Sequence, residues 1–347
     1  MKCSIEKLRQ LAFANNIIDI AVIKPERSVE LKKILVSRHQ NKRLTDFEES
    51  IIEKRINPKL IMPEAKSIIV GLMSYHMDKP PDNSKRPQFY GTLARCARGK
   101  DYHRIVHIRM KELMESLTHS QSGAEWKIFV DTGPLVDRHL AAKAGLGFFG
   151  RNNCFIHPQY GSFIVIGYIL TTLEFKENDY VSKTYDKCSE CGECQQSCPA
   201  KAINTPFQID NQVCLSHALQ QKGIMDKETM LQSGVMMYGC DICQDVCPHN
   251  YFARNTPEPL FHYKDEEAWL NLPEILQVSN REFNRRYRSA SFGWRGRRIM
   301  QRNALKSLGN TGNTMVTDHV KPFLEDQRED IRKAAEWAMD RLSKADE

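Results

Sequence analysis

No stretch of this 347-residue chain approaches the ~20 consecutive apolar residues that a membrane helix needs. The longest candidate, Phe163 to Leu170 (FIVIGYIL), has the length of a buried strand. The chain is therefore expected not to span a membrane. A secretory signal is missing too, because the opening MKCSIEKLRQLAFANN interleaves charges with apolar residues at helical spacing and has no uninterrupted apolar core. A cytoplasmic location is expected. Low-complexity tracts are absent, and 41% hydrophobic with 27% charged residues is ordinary for a globular chain, which excludes collagen-like and wholly disordered classes. Charge of one sign is not dominant: 50 basic against 43 acidic residues leave +7, which names no partner by itself. At a prior of ~150 residues per domain, the length implies two or three packed units.

Cysteine is what the chain has in excess. Eleven cysteines in a reducing compartment cannot be a disulfide framework, and eight of them fall between 188 and 247, whereas Cys3, Cys96 and Cys154 are scattered. The run Cys188, Cys191, Cys194, Cys198, Pro199 reads C-x2-C-x2-C-x3-C-P. In that bacterial ferredoxin spacing three thiolates hold one 4Fe-4S cube and the fourth crosses to a second. A second run, Cys240, Cys243, Cys247, Pro248, keeps the last three positions but has Met237 where the first cysteine would stand. Cys214 is the remaining nearby thiol and closes the count at eight. The crossing rule assigns Cys188, Cys191, Cys194 and Cys247 to one cluster and Cys198, Cys214, Cys240 and Cys243 to the other. Paired zinc sites are the alternative, but they leave the third cysteine at x2 and the x3-Cys-Pro unexplained. Two adjacent clusters imply one-electron transfer; clusters that only staple the fold are the other option.

On the N-terminal side, Ser67 to Leu72, Lys127 to Val130 and Phe163 to Leu170 read as strands, while Arg104 to Leu117 and Leu135 to Ala144 read as helices. The pattern is that of a mixed α/β or α+β domain. Pro134 suits the first turn of the second helix and Gly145 its C-terminal cap, which leaves Asp131-Thr132-Gly133 as a strand-to-helix loop. Asp131 follows Ile128-Phe129-Val130, so partial burial could raise its pKa and make it a proton donor; capping or a salt bridge with Arg138 is the plainer role. Gly145 to Gly150 matches G-x-G-x-x-G but follows a helix, so a tight turn or close backbone approach to a ligand fits better than a dinucleotide site. Asp101, in Arg98-Gly99-Lys100-Asp101-Tyr102-His103, suits a helix cap as well as a ligand contact.

Past Pro248 the composition turns polar, aromatic and basic. Arg281, Arg285, Arg286, Arg288, Arg295, Arg297, Arg298 and Arg302 face a single acid, Glu282, which marks either a solvated face or a polyanion footprint. Interleaved Phe283, Tyr287, Phe292 and Trp294 favour RNA, because aromatics stack on unpaired bases while arginines hold phosphate. Ile299 to Leu308, Thr317 to Leu324 and Ile331 to Leu342 then read as amphipathic helices with the spacing of a helical-hairpin repeat.

Together these segments resemble the epoxyqueuosine reductase family. The resemblance rests on Cys96-Ala97-Arg98-Gly99-Lys100-Asp101-Tyr102-His103, Val130 to Leu135, Ala144 to Asn152, Gly161-Ser162, the eight cysteines, and Gly296 to Ala304. It implies reduction of epoxyqueuosine to queuosine at the wobble position of tRNA anticodons, by a base-off cobalamin fed from two 4Fe-4S clusters. It also implies an α+β fold: a catalytic domain related to reductive dehalogenases (1–180), a ferredoxin-like two-cluster insert (181–255), and a basic linker with a C-terminal HEAT-like repeat (256–347). Asp131 matches the family's active-site acid. Arg55, Cys96, Asn153, His157, Ser162 and Ser216 are the expected cobalamin-lining residues beside Asp131. Arg281, Arg285, Arg286, Arg295, Arg297, Arg298 and Arg302 are expected to grip the anticodon stem-loop. The cobalamin motif D-x-H-x-x-G is broken here by Val106, so no histidine ligand to cobalt is expected. An external electron donor and a monomeric state complete the expectation. The rival readings are a corrinoid reductive dehalogenase, an electron-transfer protein, and a tRNA-binding scaffold with structural clusters. The first gives the arginine-rich stretch no task, the second leaves the N-terminal residues 1–180 without one, and the scaffold predicts no redox turnover.

Overall fold

The computed structural model describes residues 4–78, 81–119, 123–175, 188, 190–205 and 207–344. Cys3 and the expected boundary at 180/181 lie outside them. Its strands are β1 (Asp19–Ile23), β2 (Ser67–Ser74), β3 (Tyr90–Leu93), β4 (Trp126–Val130), β5 (Phe148–Phe149), β6 (Phe155–Ile156), β7 (Ile164–Thr171), β8 (Met236–Tyr238) and β9 (Trp269–Asn271).

The main sheet runs β1-β2-β7-β4, antiparallel throughout. Its central strands, SIIVGLMS and IVIGYILT, are apolar on both faces because both faces are covered. On one side the helix Tyr102–Thr118 packs Ile105, Val106, Met110 and Leu113 against Ile69, Val165 and Ile169. On the other, Leu135, Leu140, Ala141 and Ala144 pack on Val70, Leu72, Ile166 and Tyr168. Gly71 pairs with Gly167 in register, directly beneath that helix. A Cβ on Gly167 would come within 2.8 Å of the Val106 side chain, and one on Gly71 within 3.2 Å of Met110. The glycine pair lets the helix sit close to the sheet and fixes where its first residues, Tyr102 and His103, emerge.

A second sheet, β8-β3-β9, takes one strand from each of the three units the sequence suggests. Its core runs from Leu93 and Ala97 through Leu219, Met230 and Met237 into Ile275, Leu305 and Trp337, so the units share an apolar interior. The C-terminal helices Gly296–Gly309 and Glu329–Ser343 pack against each other, closely enough at Gly309 that a Cβ would meet the Ala338 backbone at 2.7 Å. No helix among the described residues is long and apolar enough to cross a membrane.

The expected strands and most expected helices are present with ends moved by a few residues, but Thr317 to Leu324 is a single α-turn, Thr317–Val320, followed by a 3-10 turn, Lys321–Phe323, at Pro322; the main sheet's edge strand β1 carries no alternation that marks it. One boundary is corrected: the helix after Asp131 runs Asp137–Lys143, not from Pro134, because Pro134 and Leu135 stay in the loop. Gly145 follows its end at φ +70°, the left-handed conformation expected of that glycine. Gly147 lies where a Cβ would collide with the Ile156 carbonyl, so the G-x-G-x-x-G run serves the tight β5-β6 hairpin.

Candidate active site

A cavity of about 2280 Å³ opens where the main sheet's loops meet the cysteine-rich segment and the arginine-rich stretch. That is more than twice the top of the ~300–1,000 Å³ typical of small-molecule sites. Its wall carries Arg55, Cys96, Asp131, Asn153 and Ser216 of the expected lining residues. His157 and Ser162 are not among its lining residues. His157 is buried in a turn, its Nε2 3.3 Å from Asp19 and its Nδ1 accepting the Gln159 and Tyr160 amides. The Ser162 hydroxyl lies 3.0 Å from Gln244 Oε1, and Gln244 itself lines the cavity.

Asp131 follows the end of β4 at φ +57°, left-handed backbone that a non-glycine residue rarely adopts and that recurs at functional sites. Its carboxylate turns into the cavity with 60% of its area accessible. The Tyr102 hydroxyl donates to Oδ2 at 2.7 Å, and His103 Nε2 lies 3.5 Å from the same oxygen. Asp101 both caps the helix, accepting the His103 amide, and holds His103 Nδ1 at 2.7 Å. Ser291 of the C-terminal unit donates to Asp101 in turn, at 3.2 Å. Burial disfavours charge on His103, but the two flanking carboxylates outweigh it and lift the pKa to about 9, so the ring is an imidazolium at neutral pH.

For Asp131 the balance differs from the sequence expectation. Burial pushes the carboxyl up, yet the His103 and Tyr102 hydrogen bonds win and hold it below the usual range. Two other carboxyls on the wall are raised: Asp137, six residues on, lifted to about 7 by burial and then by the charge of Asp131, and Asp241, lifted to about 6 by burial. Arg138, the other partner considered for Asp131, donates instead to the Asn153 carbonyl at 2.6 Å. Cys96 is a neutral thiol, since burial and the nearby Asp241 and Asp131 carboxyls push it well up. Arg55 pairs with Glu48 at 2.6 Å. The wall's two histidines are engaged: His103 as described, and His139 with Ser28 at 3.0 Å.

The eight cysteines are free thiols. Cys194 lies within electrostatic reach of Cys243, Cys191 and Cys188, Cys247 of Cys188, Cys194 and Cys191, Cys214 of Cys243 and Cys198, and Cys240 of Cys243 and Cys214, while Cys243 also meets the Cys154 thiol. Burial first, then the neighbouring thiols, push Cys194 and Cys247 to about 11 and Cys240 to about 12. Thiols that disfavour their own ionisation suit a cationic metal centre, whose positive charge would offset the thiolates. Cys240 lines the cavity, so the set with Cys198, Cys214, Cys240 and Cys243 is the nearer one.

A family model described as epoxyqueuosine reductase QueG matches residues 55–132, and one described as a 4Fe-4S double cluster binding domain matches residues 187–250. The epoxyqueuosine reductase of Lactococcus garvieae is 32% identical over 99% of this chain and 97% of that protein. The chain belongs to the epoxyqueuosine reductase family. A crystal structure of a member with an epoxyqueuosine-modified tRNA-Tyr stem loop superposes with a TM-score of 0.89, at 31% identity over 97% of this chain and 89% of that one. A Bacillus subtilis member, solved with its catalytic aspartate loop swung out of the active site, gives 0.88 at 30% identity, over 97% and 90%.

Within this family frame the basic stretch divides. Arg281, Arg285 and Arg286 are on the surface, the latter two paired with Glu282. Arg298 pairs with Asp330 at 2.6 Å, and Arg297 is half-buried. Arg302 is a correction: it is 1% exposed and donates to the carbonyls of Ala218, Leu219, Gln221 and Gly223. Asn303 and Lys306 bind further carbonyls between Leu219 and Met237, so this helix face clamps the segment between Cys214 and Cys240. Phe283 and Phe292 are also interior, and Trp294 is the exposed aromatic of the four. Sequence reasoning missed Tyr102 as a partner of Asp131, and Asp137 and Phe47 on the cavity wall; no spacing signals any of them.

Proposed function

We propose that this chain reduces epoxyqueuosine to queuosine in the anticodon loop of tRNA, with cobalamin in the cavity and two 4Fe-4S clusters on the eight cysteines. The observation that carries the reading is one wall holding both an acid, Asp131, and a cluster ligand, Cys240. Removing the epoxide oxygen as water breaks two C–O bonds, forms one C=C bond and consumes two electrons and two protons. Bound there, cobalamin supplies a reduced cobalt centre able to attack the epoxide, and the clusters supply its electrons singly. The engaged state of His103 and His139 supports the absence of a histidine ligand to the metal.

The protons are the protein's task. Asp131 faces the cavity and is backed by Tyr102 and the His103 imidazolium, so a proton leaving Oδ2 is replaced from His103. A substrate seated over Asp131 excludes water and moves its pKa toward that of an acid able to donate. The neutral Cys96 and Asn153, whose carbonyl is held by Arg138, shape the corrin side of the wall together with Arg55 and Ser216. Arg281, Arg285, Arg286, Arg295, Arg297 and Arg298 are assigned to the stem-loop phosphates, and the C-terminal helices to a HEAT-like support. The protein works as a monomer in the cytoplasm, with an external electron donor.

Anaerobic titration of the iron-loaded protein with cobalamin, followed by visible absorption and electron paramagnetic resonance, tests this. Stoichiometric uptake with a base-off Co(II) signal is expected. No uptake would remove the cobalamin mechanism.

A further inference from the structure

Two exposed aromatic rings stand on the cavity wall with an arginine against both. Phe47 is 41% and Trp294 56% exposed. The Arg295 guanidinium lies 4.9 Å from the Phe47 centroid and 4.4 Å from that of Trp294, and the two rings meet edge-on at 5.5 Å. The indole is not loose: its Nε1 donates to the Tyr238 hydroxyl at 3.1 Å, and Tyr238 lies within electrostatic reach of Asp131 and Cys96. The group therefore sits beside the reacting end of the cavity. Among the described residues Arg295 has no carboxylate partner, and its buried Nε has no hydrogen bond. Its cation is free for an anion, whereas Arg286 and Arg298 are already neutralised. Exposed π faces, a clamped indole and an unpaired guanidinium suit one ligand class, an unpaired nucleobase with its phosphate.

We propose that Phe47, Trp294 and Arg295 form a stacking platform for the nucleobase next to the modified nucleoside, which holds the loop open while the epoxide reaches Asp131. This rests on the tRNA reading above and deepens it. Asp131 takes the modified nucleoside, and the platform on the same wall takes its neighbour. The contact is with a π face, so it sets loop geometry rather than base identity.

The test uses the iron-loaded full chain with cobalamin and an epoxyqueuosine stem-loop. Trp294→Ala and Phe47→Ala should each weaken stem-loop binding by roughly 5- to 100-fold, the range of one base–aromatic stack. Trp294→Phe should restore most of it, and cobalamin uptake and the cluster spectrum should not move. A stem-loop made abasic at the flanking nucleotide should bind wild type and Trp294→Ala alike. Equal weakening on the abasic loop, or affinity unchanged by both variants, overturns the platform. Loss of cobalamin uptake in Trp294→Ala overturns it too, by giving these rings to the corrin. Failure of the wild-type protein to bind any stem-loop would instead sink the tRNA reading on which the platform rests.

Discussion

Asp131→Asn keeps the shape of the side chain and removes its charge, and two quantities should follow from the geometry. The His103 pKa of about 9, against 6.5 unperturbed, corresponds to roughly 3 kcal/mol favouring the imidazolium, shared between Asp101 at 2.7 Å and Asp131 at 3.5 Å. Asp101 is the nearer, so losing Asp131 should lower the His103 pKa by about one pH unit and not abolish the shift. The sign follows from a raised histidine: the stabilisation is complete below pH 6.5 and is lost as pH rises through 9, so Asp131→Asn loses more stability at pH 6 than at pH 10. Turnover should fall by about 10²- to 10⁴-fold, the usual worth of a positioned acid, with stem-loop affinity and iron content unchanged. Titration of the His103 ring by NMR and single-turnover conversion of an epoxyqueuosine stem-loop read the two effects. Turnover close to wild type, or a His103 titration that does not move, would refute the relay.

Asp137→Asn removes a carboxyl that folding holds protonated up to about pH 7, so the variant should gain stability over wild type as pH rises from 4 to 7, the gap then staying constant; identical denaturation profiles at pH 5 and 8 would contradict this. Cys247→Ser should disturb the cluster shared with Cys188, Cys191 and Cys194 and spare the other, which iron analysis and paramagnetic resonance of both reduced clusters would show; loss of the Cys198, Cys214, Cys240 and Cys243 signal alone would reverse the crossing assignment. Arg302→Met strips the donor from four carbonyls and should cost roughly 3 kcal/mol or more of stability, whereas Arg281→Ala should cost little and act on RNA affinity; a stable Arg302→Met protein with weakened RNA binding would return Arg302 to the surface role.

What the sequence could show was chemistry that depends on spacing. Thiolates must lie on adjacent turns to hold one cube, so the interval from Cys188 to Cys198 was readable in one dimension, and a 4Fe-4S double cluster binding domain matches there. Asp131 was readable as a loop residue after an apolar strand, but its pKa was not, because the decisive partners are Tyr102 and His103, nearly thirty residues earlier, delivered by a helix seated on Gly71 and Gly167. The arginines misled for a related reason. A run of like charges looks solvated, yet Arg302, Asn303 and Lys306 share one face of a helix whose carbonyl partners lie about 70 to 85 residues upstream. Phe47 meets Trp294 only through the tertiary fold.

On the proposed function, this chain removes the epoxide oxygen using its clusters and cobalamin. The most direct measurement is anaerobic incubation of the fully loaded protein with an epoxyqueuosine stem-loop and a low-potential reductant, followed by mass spectrometry of the released nucleoside. Queuosine, one oxygen lighter, is expected, with conversion lost when cobalamin is omitted and lost in Asp131→Asn. Epoxyqueuosine recovered intact from protein carrying both reducible clusters and bound cobalamin would contradict it.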